Sequence, residues 1–337
     1  MSNPTLIKVS SLAEYVAAIS KINAAEEDSA WFRGHSSASH RLLPGVLRNV
    51  EPLTSAYGTP LRGNEILRAE GNTVTGIDPE RMLDDFKRRA LPFLEFTPRN
   101  DFEWLFLMQH HGVPTRLLDW TTNALVALYF AVSSLRADAV GLTSETEWDE
   151  EREELDEFAE NSATVFAMNP SKVNTALHGD IDEVVDVAQN YERWEAYSRP
   201  TILSSEHINT YAPLCITAPQ LSPRIRAQSG LFSIHGFNVW SLDYYTEVRA
   251  LLTKILIPFE AAIAVQRELR HFGISESLIY PGLDSVAKDV KTDEERRYAW
   301  QRKAYLEKLD SISTDTKRNL RSKKRKSGRI GKKAKSK

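Results

Sequence analysis

Residues 124–132, ALVALYFAV, form an uninterrupted apolar run, and this run constrains the fold more than any other feature of the sequence. A helix that is apolar on every side has to be buried on several sides, so other elements must surround it. The polar segment just before it, residues 109–123, reads QHHGVPTRLLDWTTN. We interpret this polar segment as the floor of a pocket that the buried helix holds in place. A buried structural network without any ligand is the alternative.

The spacing of apolar residues predicts the helices and strands of the chain. Helices are expected over 12–22, 79–90, 102–111, 123–135, 259–272 and 293–309. Strands are expected over 29–34, 163–169, 211–218, 230–236 and 249–258. Helices dominate the first half and strands with intervening helices the second. We therefore expect an α+β fold, a single domain whose mixed or antiparallel sheet is flanked by helices.

We also expect particular residues to begin these elements. Asp101 is predicted to cap the helix over 102–111, and Thr121 or Thr122 to cap the apolar helix. Residues 113–120 are predicted to form a tight connection, and residues 277–284 a short strand and turn.

The charge of the chain is unevenly distributed. The net charge is −3, yet residues 317–337 hold 12 Lys and Arg and no acid, which leaves −15 for the rest. The acidic insert, about 143–160, is expected to be a solvated helix or disordered. We predict an α+β domain over 1–310 and a disordered basic tail over 311–337.

A tail of this composition binds phosphate backbones by releasing counterions. It therefore predicts nucleic acid or the ribosome as a partner, with a solvated tail as the alternative. The basic residues expected to make these contacts are Lys323, Lys324, Arg325, Lys326, Lys332 and Lys333.

Several classes of protein are not expected. The one cysteine, Cys215, excludes an internal disulfide, and no Cys/His spacing suits zinc, so we expect no metal. The longest apolar run is too short to span a bilayer, and the N-terminal residues lack the pattern of a secretory signal. We expect a soluble cytoplasmic protein without a membrane partner. The sequence leaves the oligomeric state open.

Two stretches carry a resemblance to a known family. Residues 31–48 read WFRGHSSASHRLLPGVLR, and residues 103–132 read EWLFLMQHHGVPTRLLDWTTNALVALYFAV. Both resemble the FRG-domain family, named for its Phe-Arg-Gly, over a core of about 29–135. Residues 226–236 and 269–284 look like the family's less regular C-terminal half. Proteins resembling this one are mostly bacterial or come from mobile elements.

A remote likeness to ADP-ribosyltransferases implies a catalytic site. In those enzymes an early strand carries an Arg or His that binds NAD, and a late segment supplies a Glu. Here Arg33 and Glu276 would take those two roles, with NAD as the substrate. An NAD-cleaving or ADP-ribosyl-transferring enzyme in bacterial defence or toxin action would follow from this resemblance.

The residues themselves are suited to an anionic, nucleotide-like ligand. Arg33 offers a planar fork of donors for a phosphate, with an ion pair to Asp119 as the structural alternative. Gly34 would let a ligand approach the backbone. Trp120 could stack on a base or belong to the core. The predicted ligand-binding residues are Arg33, Gln109, Arg116, Asp119, Trp120, Thr121, Thr122, Asn123 and Gln228.

Three functions remain open at this point. The chain is an enzyme acting on NAD, a non-catalytic module that senses a nucleotide, or a nucleic-acid-binding protein in which the domain is a scaffold.

Overall fold

The computed structural model describes residues 3–25, 30–48, 78–94, 97–135, 162–189, 191–199, 210–219, 230–236 and 240–333. The acidic insert and Gln228 lie outside these ranges. The chain divides into two compact units, residues 1–279 and 280–337.

A mixed eight-stranded sheet organises the first unit. Its strands are β1 (Thr5–Lys8), β2 (Trp31–His35), β3 (Leu117–Thr121), β4 (Ser162–Met168), β5 (Val185–Asp186), β6 (Leu214–Thr217), β7 (Gly230–Ile234) and β8 (Thr253–Pro258). Their spatial order is β1-β8-β4-β2-β3-β7-β6-β5. The β1–β8 and β5–β6 pairs are parallel, and the other pairs are antiparallel. The mixed sheet with its helices confirms the predicted α+β class.

The helices of this unit are α1 (Leu12–Ala25), α2 (Pro79–Ala90), α3 (Asp101–His110), α4 (Ala124–Val132), α5 (Pro170–His178), α6 (Tyr191–Ser198), α7 (Thr246–Arg249), α8 (Phe259–His271) and α9 (Glu276–Ile279). Asp78 caps α2 by accepting from the backbone N–H groups of Glu80 and Arg81, as its position before Pro79 predicts. Gly112 follows α3 with a positive φ of 77°, the backbone geometry that favours glycine after a helix.

Both faces of the sheet carry buried apolar side chains. Side chains alternate along a strand, so Leu117 and Leu118 of β3 point to opposite faces. Leu117 packs in a cluster with Phe106 of α3 and Phe232 of β7. Leu118 packs in a second cluster with Trp31. The strand β3 is therefore covered on both sides, which agrees with its central place in the sheet.

The buried helix α4 lies against the sheet at Gly34 of β2. A Cβ atom at Gly34 would overlap the carbonyl oxygen of Ala127 and would lie 2.6 Å from the amide nitrogen of Ala131. Ala127 and Ala131 are themselves fully buried. Glycine at position 34 thus makes room for the backbone of α4, and the close approach of a ligand there stays a prediction.

Two helix caps differ from the prediction. Asn100, not Asp101, caps α3 by accepting from the Glu103 N–H at 3.0 Å. Asn123 caps α4 by accepting from the Leu125 N–H at 3.0 Å, one or two residues after the predicted threonine. In each case the asparagine is a neighbour of the predicted residue and has an equally short side chain with an acceptor oxygen, so the sequence alone did not separate them.

Two element types also differ. Residues 117–121 form strand β3 rather than part of a tight connection, because burial on both faces removes the polar alternation that marks a strand. Residues 277–284 form no strand. The helix α9 occupies Glu276–Ile279, and the next helix starts at Leu283.

The second unit consists of one long helix, α10 (Leu283–Lys333). Its side chains are largely exposed as far as they are described, among them Tyr298, Trp300 and Tyr305. The backbone of the tail predicted from residue 311 continues this helix, which Lys and Arg favour by propensity. The disorder of the tail in solution and the boundary at residue 311 stay predictions.

Candidate functional site

Strands β2 and β3 pair over a single position and then separate. Phe32 pairs with Thr121, and the same register would next bring Gly34 opposite Asp119. The ladder ends before that point. The Arg33 guanidinium lies there instead and donates from Nη1 to the main-chain carbonyl oxygen of Asp119 at 2.6 Å. Arg33 thereby satisfies an acceptor that the sheet leaves without a strand partner.

A chain of polar contacts leads from Arg33 to helix α3. Arg33 Nη1 lies 3.7 Å from Oδ2 of Asp119. Gln109 Nε2 donates to the same oxygen at 2.8 Å, and its Oε1 accepts from Thr115 Oγ1 at 2.7 Å. The side chain of Arg33 is 12% exposed and that of Asp119 is 53% exposed, so this chain of contacts reaches solvent at the carboxylate. The proximity of Arg33 and Asp119 agrees with the ion pair considered from the sequence.

On its other side Arg33 contacts a histidine. Arg33 Nε donates to Nε2 of His35 at 2.8 Å, so this ring nitrogen carries no proton. The proton then lies on Nδ1, which is 3.3 Å from the carbonyl oxygen of His40. Burial lowers the pKa of His35 well below its usual value, and the charges of Arg33, His40 and Arg48 lower it further, whereas the hydrogen bond to His40 opposes the shift. The ring is therefore neutral at pH 7.

Arg116 lies just before β3 and is buried, with 6% of the residue exposed. Within the described ranges, its Nε and Nη1 have no hydrogen-bond partner. Burial lowers the pKa of Arg116 to about 10, and the charge of Glu80 opposes the shift. The guanidinium therefore stays charged at neutral pH.

His235 follows strand β7 and is fully buried beside Arg116. Its N–H donates to the carbonyl oxygen of Arg116 at 3.0 Å. Neither ring nitrogen makes a hydrogen bond of normal geometry to a described residue, although the Trp240 backbone faces the ring. Burial and then the Arg116 charge lower the pKa of His235 to about 3, with Arg33 adding to the shift and the Trp240 backbone opposing it. This ring, too, is neutral at pH 7.

These groups form one set, which we call the basic cluster: Arg33, His35, Arg48, Arg116 and His235. The charge of Arg33 acts on both histidines, and that of Arg48 acts on Arg33 and His35. The sequence predicted Arg33 and Arg116 but missed the other three. Arg48 is the last residue of the family-like stretch 31–48, and His235 is the second last of the stretch 226–236. A polar residue at the end of such a stretch was the signal from which both could have been predicted.

The other predicted ligand residues lie apart from the basic cluster or serve as caps. Trp120 is buried on the opposite face of β3 from Asp119, and its Nε1–H donates to Ser233 Oγ at 3.1 Å, which favours the core alternative. Thr121 Oγ1 accepts from the Asn123 N–H at 3.0 Å, so both hold the start of α4. Thr122 is exposed.

No described contact joins the predicted catalytic Glu276 to Arg33. Glu276 begins α9, and in the described part of the chain the contacts of Arg33, Arg116 and Asp119 do not include it. The carboxylate that does contact Arg33 is Asp119. The side chains of the six predicted tail residues, Lys323 to Lys326, Lys332 and Lys333, are outside the described part of the chain.

No three His, Cys, Asp or Glu side chains among the described residues are grouped so as to hold a metal ion. None of their helices has the length and apolar character needed to cross a membrane.

Comparison with known proteins identifies the domain. Residues 28–139 match the family model of the FRG domain. The chain therefore carries an FRG domain, which contains Arg33, Arg48, Arg116 and Asp119, whereas His235 lies beyond the matched residues. Neither a curated protein nor a solved structure matches the chain.

Proposed function

We propose that the protein binds an anionic, phosphate-bearing ligand at the basic cluster. The observation that carries this proposal is the state of Arg116, a buried charge whose Nε and Nη1 have no partner among the described residues. Two unsatisfied donors on a buried guanidinium cost up to several kcal/mol, of which the charge of Glu80 offsets a part. A bound phosphate removes that cost, since it accepts from a guanidinium through two oxygens at once.

Arg33 and Asp119 have a different part in this proposal. Arg33 already donates to the Asp119 carbonyl and to His35, so its geometry is fixed before a ligand arrives. A fixed donor next to a buried cation is the preorganisation that a charged ligand requires. The exposed carboxylate of Asp119 lies at the solvent side, where it disfavours a second negative group close to Arg33.

Replacing Arg116 with Met tests the proposal. Pyrophosphate or NAD should raise the Tm of the wild type, by an amount equivalent to about 2.7 kcal/mol at a hundred times Kd. The Arg116→Met variant should lose this response. Without ligand it should be more stable than the wild type, by roughly 1–4 kcal/mol, because the buried charge is gone.

Arg199 supplies the matched control. Its guanidinium contacts Asp84 at 2.6 Å and also contacts Asp101, so Arg199→Met should lower the Tm and keep the ligand response. A wild type that responds to neither ligand, together with a destabilised Arg116→Met, would show that Arg116 is purely structural.

NAD is the ligand for which this site could also be catalytic. Cleavage of its bond to nicotinamide passes through a cationic sugar, which a nearby carboxylate stabilises. Asp119 is the described carboxylate in contact with Arg33, so we assign this role to Asp119 in place of Glu276. In the same experiment, nicotinamide release that is lost in Asp119→Asn and kept in Glu276→Gln marks an enzyme. Binding without release marks a sensor. A role in phage defence or as a toxin is proposed only for the case in which the protein releases nicotinamide from NAD.

A second function, contact with nucleic acid or the ribosome, rests on the 12 Lys and Arg of residues 317–337. In the full chain, changing Lys323 to Lys326, Lys332 and Lys333 to Gln should reduce the slope of log affinity against log salt for duplex DNA by up to about five. The same changes at Arg88 and Arg89, which are exposed on α2, should leave the slope as it is. Equal slopes for the wild type and the tail variant would exclude the tail as the binding segment.

A further inference from the structure

The buried ring of His235 adds a second requirement to any ligand of the basic cluster. A neutral imidazole has one N–H donor and one bare nitrogen that accepts. By strict geometry neither makes a hydrogen bond to a described residue, but the Trp240 backbone faces the ring and can accept from its N–H, which leaves the bare nitrogen. Two donors of Arg116, Nε and Nη1, also have no partner among the described residues. A complementary ligand therefore has to accept from Arg116 and to donate one hydrogen bond to the bare nitrogen of the imidazole.

The charged groups around the ring explain why it does not take up the missing proton by itself. Arg116 and Arg33 act on His235 from the start of β3 and from β2, and both are cations. Negative charges act on these arginines, Glu80 on Arg116 and Asp119 on Arg33. The ring consequently stays neutral until a ligand brings either a proton or a strong negative charge.

We propose that the basic cluster selects an anion that carries a hydroxyl group, a phosphate with at least one P–OH, over sulfate and over phosphodiesters. This inference rests on the anion site proposed above and narrows its ligands to free phosphates and phosphomonoesters, so NAD, whose two phosphates are both esterified and carry no P–OH at pH 7, binds well only if the preference is absent. A protonated phosphate accepts from Arg116 through its bare oxygens and donates its O–H to the imidazole. Sulfate and a phosphodiester present oxygens of the same kind but no proton, so the bare nitrogen of His235 remains without a partner.

Titration calorimetry of the full chain with inorganic phosphate and with sulfate tests the preference. Phosphate should bind at least about tenfold more tightly at pH 7, as expected for one buried acceptor left unsatisfied by sulfate. In His235→Leu the two anions should bind equally, because Arg116 alone then recognises them. Replacing the exposed His271 at the end of α8 with Gln should keep the preference.

A second measurement uses the wild type alone, so that it does not depend on the folding of a variant. Methyl phosphate, which can keep a P–OH, should bind more tightly than dimethyl phosphate, which has none. Equal affinities for phosphate and sulfate, both lost in Arg116→Met, would overturn the preference and leave the anion site intact. If neither phosphate nor sulfate binds, both the anion site and the preference are overturned.

Discussion

Gly34→Ala should destabilise the first unit by about 3 kcal/mol or more, a large loss for the addition of a single methyl group. The new Cβ would overlap the Ala127 carbonyl oxygen, which is helix backbone and cannot rotate away as a flexible side chain can. Either α4 moves off the sheet or β2 bends. Both changes open a region in which Ala127 and Ala131 are fully buried.

Urea unfolding measures this loss directly, with Gly282→Ala as the matched control. A Cβ at Gly282 meets nothing within 4 Å, so alanine there should change the free energy of unfolding by less than about 0.5 kcal/mol. If Gly34→Ala and Gly282→Ala have the same midpoint and slope, then α4 does not need glycine at position 34.

Acidification from pH 6.5 to pH 5 should cost the free protein roughly 1.7 kcal/mol of stability for His235 alone, with a slope that approaches about 1.4 kcal/mol per pH unit as the unfolded histidine becomes protonated. The pKa of His235 is about 3 in the folded chain, whereas an unfolded histidine has its usual pKa near 6.5. Between these values the unfolded state binds a proton that the folded state does not. Stability is therefore complete above pH 6.5 and is lost as the pH falls through this window.

Unfolding free energies at several pH values check this expectation. His35, His40 and His178 also have a lowered pKa and contribute in the same direction, so the comparison is between wild type and His235→Leu. The free energy of unfolding should depend less steeply on pH in His235→Leu, and the difference should equal the contribution of one histidine. Parallel curves for His235→Leu and wild type would mean that His235 is accessible to protons in the folded state.

Local chemistry made much of the fold predictable. Asp78 before Pro79 predicted the start of α2, and Gly112 predicted the end of α3, because cap residues act within one turn of the chain. Strand β3 was missed since LLDWT is buried on both faces and has no period-two pattern. Burial of that kind depends on which strands become neighbours, and no local pattern contains this information.

The site was predictable in part for the same reason. An ion pair between Arg33 and Asp119, far apart in sequence, was one of two alternatives that the sequence left open for Arg33, and the two residues do meet. The assignment of Glu276 depended on a remote resemblance, and the contacts of Arg33 do not include that residue. His235 gave little signal, because a histidine after a strand is common. Its importance comes from ring nitrogens that make no hydrogen bond of normal geometry to a described residue, which no sequence pattern contains.

Strands β2 and β3 lie in the middle of the eight-stranded sheet and pair only at Phe32 and Thr121. The boundary between them is therefore a line of weak pairing through the sheet. Four strands lie on each side of that line, and each half has longer ladders within it. Helix α4 packs across both β2 and β3, and Arg33 spans the same line through its bond to Asp119. The sheet therefore consists of two four-stranded halves with few direct bonds between them. A ligand that competes for the Arg33 guanidinium would weaken the connection between these halves.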